Sequence, residues 1–431
     1  MHPKQLLDAC AELVKRTLTF EHPADAVVSR FFRENRNLGS RERATLAETA
    51  YTVLRKKLLL EQLARSGSGP RERRLAILGW AHSQNGGDRS FIKSALNETE
   101  RHWLDDCDAV PLAELMPHHR HNLPDWLVAP LKAQMADAAE FDQLAASMLE
   151  TAPLDLRVNQ LKGKRADLEK TLREAKIAAE PTPYSPWGLR VEGKPQLSRL
   201  DAFTSGAIEV QDEGSQLLAL LLDAKRGEMV TDFCAGAGGK TLAIGAAMRS
   251  TGRLYAFDVS GHRLEALKPR LARSGLSNVH PAAIAHERDE RIKRLAGKMD
   301  RVLVDAPCSG LGTLRRNPDL KWRQSPQAIE ELTAKQTAIL ASAARMVKPG
   351  GRLVYATCSV LPAENEAIAE AFGAAHRDFI PADAGELLTA LKVEQAASLC
   401  SGGDTGTQYL RLWPHQHQTD GFFAAVWTRQ V

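Results

Sequence analysis

The chain lacks the marks of several protein classes. Its six cysteines (Cys10, Cys107, Cys234, Cys308, Cys358, Cys400) are widely spread, with no CxxC pair and no Cys/His spacing of the zinc type. That pattern argues against a disulfide framework or a structural metal. No run approaches the ~18 apolar residues of a membrane span. The opening "MHPKQLLDACAELVKRTL" has a helical period where a secretory leader would carry an unbroken apolar core. There is no internal repeat or low-complexity tract. The histidines of "HHRH" (His118 to His121) have no acidic or cysteine partner at ligating spacing, so no metal is expected. These absences predict a cytoplasmic protein of a reducing compartment, with no membrane partner and acting as a monomer.

What is present is length and unevenly placed charge. At 431 residues the chain is too long for one ordinary core, which favours two or three domains. The formal net charge is only +4, yet Met1 to Arg74 holds 15 Lys or Arg against 9 Asp or Glu. An anionic partner fits that end. Leu6, Leu7, Cys10, Leu13, Val14 and Leu18 fall on one helical stripe, and Ala47, Tyr51, Leu54 and Leu58 repeat the spacing. With breakers at "SGSGP" (Ser66 to Pro70), "NGG" (Asn85 to Gly87) and "HNLPDW" (His121 to Trp126), the expectation is an all-helical domain over residues 1–145.

From "PLDLRVN" onward the texture changes, predicting a small α+β connector over residues 146–215. Beyond it the apolar runs "MVTDF", "RLYAFD", "RVLVDA" and "RLVYATCS" alternate with longer helical patterns. Strand and helix in alternation predict an α/β, doubly wound parallel sheet over residues 216–431.

The loop "VTDFCAGAGGKT" (Val230 to Thr241) resembles a phosphate loop in its Lys-Thr ending. A P-loop needs glycine five residues before Gly239, and that position is Cys234. A dinucleotide loop G-x-G-x-x-G would need a third glycine where Thr241 stands. Asp258 closes the next strand 20 residues after Gly238, the spacing at which a carboxylate reaches ribose hydroxyls. The ligand indicated is a nucleoside without a large phosphate requirement, of which S-adenosylmethionine is the common one. A plain surface aspartate at the end of a strand is the alternative.

Two cysteines stand at strand ends. "RVLVDAPCSG" places Asp305 and Cys308 past one strand, and "RLVYATCS" places Cys358 past the next, with a helix between. A right-handed crossover makes the strands parallel and brings both thiols to the edge that carries the glycine loop. Carbon-5 of a pyrimidine is a poor nucleophile until a thiolate adds to carbon-6. That chemistry needs a cysteine, a hydrogen-bond partner near the ring nitrogen, for which Asp305 is the candidate, and a group that lets the carbon-5 proton leave. Amino-group methyltransferases carry [ND]-P-P-[YF] at this turn; here it reads Asp305-Ala306-Pro307-Cys308.

These segments, together with "GAIEVQDEGSQL", "DAPCSGLGTLRRNPDLKW", "YATCSVLPAENE" and "DGFFAAVWTR", resemble the RNA cytosine carbon-5 methyltransferases of the NOL/NOP/Sun type, in their bacterial ribosomal-RNA branch. The resemblance covers most of residues 150–431, and the basic helical region resembles that branch's NusB-like RNA-binding domain. It implies a Rossmann-like S-adenosylmethionine-dependent methyltransferase domain, an RRM-like connector and ribosomal RNA as partner. Cys358 would be the nucleophile, Cys308 would assist proton removal and enzyme release, and Asp305 would contact the base and sit near the cofactor. Cys234, Ala235, Gly236, Ala237, Gly238, Gly239 and Lys240 would wrap the methionine part of S-adenosylmethionine, with Asp258 on the ribose and Arg263 shaping the pocket. DNA cytosine methyltransferases use the cysteine of their PC turn as nucleophile, so Cys308 is the competing assignment.

The chain departs from the family loop C-A-A-P-G-G-K at Gly236 and Ala237, and from the usual acidic residue near the adenine, where Ala285 stands with Glu287 and Asp289 out of register. Transfer RNA as substrate, or a ribosome-assembly protein that has kept the fold, are the alternatives. "LRRNPDLKWR" offers Arg315, Arg316, Lys321 and Arg323 for phosphates and Trp322 for stacking. Arg55 to Lys57 with Arg71, Arg73 and Arg74 suit nonspecific RNA backbone binding. Cys10, Cys107 and Cys400 read as packing residues.

Overall fold

The computed structural model describes all residues except 84–88 and 403–405. The "NGG" breaker lies outside the described residues. The chain divides into two compact units, one of Met1–Thr151 with Thr313–Ser325, the other of Ala152–Gly312 with Pro326–Val431.

The first unit is helical. Its principal helices are α1 (Pro3–Thr17), α2 (Ala24–Glu34), α3 (Ser40–Arg55), α4 (Arg71–Ser83) and α5 (Glu98–Ala109). The stripe Leu6, Leu7, Cys10, Leu13 and Val14 is buried against Leu46, Ala50 and Val53 of α3 and Leu75, Leu78 and Trp80 of α4. Cys10 is a core residue, and burial pushes its thiol up to about 12. Asn97 caps α5 by accepting from the Glu100 N–H at 2.8 Å, while Glu100 returns a bond to the Asn97 N–H at 3.0 Å. This reciprocal box satisfies two of the donors a helix start leaves free.

The second unit holds two sheets. In the smaller, β1 (Leu154–Val158), β2 (Ala179–Pro181), β3 (Gly188–Val191) and β4 (Ile208–Val210) run antiparallel in the order β2-β3-β1-β4. Leu156, Val158, Leu189 and Val191 meet Leu168 and Leu172 of α6 (Arg165–Glu174) in a core of their own. This sheet is tied to the larger α/β region by ion pairs from Arg270 and Arg273 to Glu209 at 3.0 and 2.6 Å, and by Asn159 Nδ2 donating to the Ser274 carbonyl at 2.9 Å.

The larger sheet has nine strands: β5 (Met229–Asp232), β6 (Arg253–Asp258), β7 (Val279–Ala283), β8 (Met299–Asp305), β9 (Val347–Thr357), β10 (Phe379–Ala382), β11 (Cys400–Gly402), β12 (Gln408–Leu412) and β13 (Phe422–Arg429). The path is β11-β12-β13-β9-β8-β5-β6-β7, and β10 pairs with β13. Pairing is parallel from β7 through β9 and antiparallel from β13 outward. Val230, Leu254, Leu303 and Val354 line one face of this Rossmann-like sheet, while Val302, Val304, Leu353 and Tyr355 line the other. The alternation follows the two-residue period of a strand. Helices α7 (Glu213–Leu222), α8 (Gly239–Ala247), α9 (Gly261–Ser274) and α10 (Pro326–Ala344) cover the sheet. From β5 the chain moves outward through β6 and β7, then returns to the other side for β8 and β9. The strand order therefore reverses at β5, where a doubly wound sheet opens its ligand crevice. No helix among the described residues is long and apolar enough to cross a membrane.

Candidate active site

The loop after β5 is held by its own backbone and by Asp258. Ala235 N–H donates to the Phe257 carbonyl at 2.8 Å, and Gly238 N–H to the Ala235 carbonyl at 2.8 Å. Gly236 N–H donates to Asp258 Oδ2 at 2.8 Å, while Ser260 N–H donates to Oδ1 at 2.7 Å. Each carboxylate oxygen keeps a second lone pair for a hydroxyl. Arg270 fixes the Ala237 carbonyl at 2.6 Å. Gly236 has φ +56°, and a Cβ built there meets nothing within 4 Å. The loop thus needs glycine for its backbone angle and opens at that point onto free space.

Three carboxylates converge beneath this loop. Asp232 is fully buried; burial pushes its carboxyl up to about 7 against the Thr241 hydroxyl bond of 2.7 Å, and Asp305 and Asp258 push the same way. Burial, then Asp305, Asp232 and Asp258, hold Cys234 as a thiol, so it serves the loop through its backbone. Lys240 Nζ donates to Asp305 Oδ2 at 2.7 Å. Burial pulls the Lys240 ammonium down, but Asp305 outweighs it, with a further contribution from Cys358, and the group is raised. One ammonium against three carboxyls leaves a crevice whose field suits a cationic ligand group such as a sulfonium.

Past β8 and β9 the two thiols meet. Cys308 Sγ and Cys358 Sγ lie 3.4 Å apart, both free and half-buried. The bond to Cys358, then burial and the charges of Cys358 and Glu364, raise the Cys308 thiol well above its usual range. Gly312 N–H donates to the Cys358 carbonyl at 2.8 Å, and Gly421 N–H to the Gly312 carbonyl at 2.8 Å. A Cβ on Gly312 would fall 2.0 Å from that Gly421 carbonyl, so only glycine allows β13 to brace the cysteine loop.

Two family descriptions match the chain: "16S rRNA methyltransferase RsmB/F" over residues 219–428, and the RsmF/B-like ferredoxin-like domain over residues 123–198. The probable ribosomal RNA small subunit methyltransferase B of Bacillus subtilis is 33% identical over 343 residues, covering 78% of this chain and 73% of that protein. The chain belongs to the RsmB/F family. Its counterpart of the same name in Synechocystis is 38% identical over 310 residues, 71% of this chain, and the chain spans 66% of that relative's length. Two solved structures extend the likeness. The crystal structure of PH0851 has a TM-score of 0.78 at 26% identity and covers 99% of each chain. A methyltransferase homolog from Pyrococcus horikoshii has a TM-score of 0.59 at 27% identity, covering 73% of this chain and 100% of its own. S-adenosylmethionine is the cofactor of this RsmB/F fold. The negative crevice, the open Gly236 and the Asp258 carboxylate fit it.

The remaining residues singled out in the sequence lie as follows. Arg263 is exposed in the first turn of α9. Asp289 is engaged as a cap, accepting from Ala285 N–H at 3.0 Å and Arg291 N–H at 2.9 Å, and the adenine contact stays without a residue. The "LRRNPDLKWR" segment packs within the helical unit and is not a free basic loop. Lys321 Nζ donates to the Arg55 carbonyl at 2.9 Å, Trp322 Nε1 to the Leu54 carbonyl at 2.7 Å, and Arg55 Nη2 to the Arg315 carbonyl at 3.0 Å. Lys321 and Arg315 are buried, and burial beside Arg55 holds the Lys321 amine well below its usual range. Five of the six cations of the second basic set are engaged internally too, Lys57 with Glu61 at 2.9 Å. Arg55 is buried, Arg71 pairs with Glu61, Arg73 with Glu100 at 2.6 Å and Asp8 at 2.7 Å, and Arg74 donates to carbonyls of Ala64 and Gly67. Sequence reasoning gave no role to Glu364 and Gln336, although the "AENE" of the cysteine block already carried the first.

Proposed function

We propose that this RsmB/F protein methylates carbon-5 of a cytosine in small-subunit ribosomal RNA through a bond between Cys358 and carbon-6. The observation that carries this reading is the 3.4 Å approach of the two sulfurs at the ends of neighbouring parallel strands. The target base leaves its stack to reach the thiols. Cys358 loses its proton to solvent and its thiolate adds to carbon-6; the displaced π pair moves toward the ring nitrogen, which takes up a proton and donates it in a hydrogen bond to Asp305, oriented by Lys240. Carbon-5 becomes nucleophilic. When bound, S-adenosylmethionine supplies an electrophilic methyl group on its sulfonium sulfur. The loop Cys234 to Lys240 holds the methionine part and Asp258 the ribose.

Bonding of Cys358 to carbon takes away the neighbouring thiol whose hydrogen bond raises Cys308, which makes the Cys308 proton easier to lose. Cys308 then gives its proton to solvent and accepts the one on carbon-5. The electron pair of that C–H bond re-forms the double bond to carbon-6, and the Cys358 thiolate is expelled. For RNA contact the helical unit offers an open concavity of about 400 Å³ lined by Ser29, Phe32, Arg33, Arg36 and Arg43, in which Arg43 lies over the Phe32 ring and Arg33 and Arg36 are exposed for phosphates.

The test is incubation with labelled S-adenosylmethionine and, separately, ribosomal and transfer RNAs, followed by mapping of 5-methylcytosine. Label at cytosine carbon-5 of small-subunit RNA is expected. Transfer RNA as the sole acceptor moves the substrate, and cofactor binding without transfer to any RNA favours an assembly role.

A further inference from the structure

Each catalytic cysteine is followed by a serine, and the two serines share one partner. Glu364 is fully buried in the short turn Pro362–Glu364 that follows the Cys358 loop. Its Oε1 accepts from the Ser309 N–H at 2.8 Å and from Gln336 Nε2 at 3.0 Å. Its Oε2 accepts from Ser309 Oγ at 2.5 Å and from Ser359 Oγ. Gln336, on α10, also donates Nε2 to the Pro307 carbonyl at 3.0 Å. Cys308 is therefore fixed at the carbonyl before it and the amide after it. Cys358 is fixed through the hydroxyl of its successor. The turn is itself anchored, since Tyr355 OH donates to the Glu364 carbonyl at 2.6 Å and Asn365 Nδ2 to the Ser359 carbonyl at 3.0 Å.

A carboxylate in this position is costly, because taking a charge out of water costs several kcal/mol unless its lone pairs are filled. Four donors fill them here, and hydrogen bonds to an ionised acceptor are about twice as strong as neutral ones. An apolar side chain would brace one loop. Only an acceptor with two oxygens can take both serine hydroxyls on one and the Ser309 amide and Gln336 on the other. Attack at carbon-6 and proton removal at the adjacent carbon-5 require two sulfurs at a fixed separation.

We propose that Glu364 is the positioning residue of this enzyme, the clamp that keeps the Cys308 and Cys358 loops in register so that both sulfurs address one pyrimidine ring. The proposal rests on the two-cysteine reading above. Its test begins without RNA: the azo oxidant diamide takes two electrons and two protons from the thiol pair, is reduced to the hydrazine, and closes a Cys308–Cys358 disulfide, whose rate peptide mass mapping reads. In the wild type the sulfurs have only to close from 3.4 Å. Glu364→Gln, with one acceptor oxygen where the clamp needs two, is expected to slow closure and single-turnover methyl transfer by at least ~10-fold with S-adenosylmethionine affinity unchanged, since misplacement by an ångström can cost ~100-fold. Ser359→Ala gives a smaller loss of the same kind and carries the test should Glu364→Gln fold poorly. Wild-type closure and transfer rates in both variants, or a lowered melting temperature with closure unaffected, would overturn the proposal. Absence of 5-methylcytosine from the wild type would sink the two-cysteine reading instead, and the closure rates would still decide the role of Glu364.

Discussion

The carboxyl edge of the large sheet and the Leu314–Arg323 segment are adjacent in sequence and dense in charge, but folding uses them in opposite ways. At the sheet edge Asp258, Lys240 and Asp305 are held by bonds that orient them toward a crevice. In the segment the Lys321 amine donates to the Arg55 carbonyl, and the Trp322 indole to the Leu54 carbonyl. A cation a few residues beyond Cys308 in the sequence is thus no ligand group until its internal acceptors have been counted. Among the cations that remain exposed, Arg33 and Arg36 lie in α2 and just past it, where the sequence carries no motif.

The sharpest way to break this contrast is at the thiols. Cys358→Ala should abolish methyl transfer and form no RNA adduct, whereas Cys308→Ala should trap a covalent adduct through Cys358, read by gel shift under denaturing conditions. Adducts in the Cys358 variant would assign the nucleophile to Cys308. Next, Arg33→Glu with Arg36→Glu should weaken RNA binding by at least ~10-fold and flatten its salt dependence, because each lost phosphate contact removes about one unit of slope. An unchanged slope would move the RNA surface elsewhere. Gly236→Ala should raise the cofactor dissociation constant about fivefold by calorimetry, since a left-handed backbone angle costs a side-chain-bearing residue roughly 1–2 kcal/mol. Smallest of all should be Lys321→Met: removing a buried amine leaves RNA affinity unchanged and the melting temperature equal or higher. A loss of affinity there would restore the segment as an RNA contact.

Much of the site can be read in the sequence because doubly wound sheets concentrate it. Once "VTDFCAGAGGKT", "RLYAFD", "RVLVDAPCSG" and "RLVYATCS" are strands followed by loops, topology alone carries Cys234, Asp258, Asp305, Cys308 and Cys358 to one edge. The clamp is harder to see. Glu364 follows Cys358 by six residues, but its second loop and Gln336 are tens of residues away, and no local period links them. The helical unit shows the reverse failure. Its core stripe follows the 3.6-residue period and is legible, whereas the fate of Arg73 or Lys321 depends on partners in distant helices. Periodicity reports which face is apolar and says nothing about which polar group meets which.

The Thr313–Ser325 segment has a consequence for how this protein can be divided. It is inserted between residues 312 and 326 of the catalytic unit yet belongs to the helical one, so the backbone crosses the boundary between units three times. A chain begun at residue 152 would carry the lysine and tryptophan without the α3 carbonyls that receive them, exposing an apolar, half-satisfied strap. The helical unit is therefore no detachable bead on a string. Recombination that exchanged it for another module would have to replace two stretches at once, which couples the inheritance of the helical unit to that of the larger sheet.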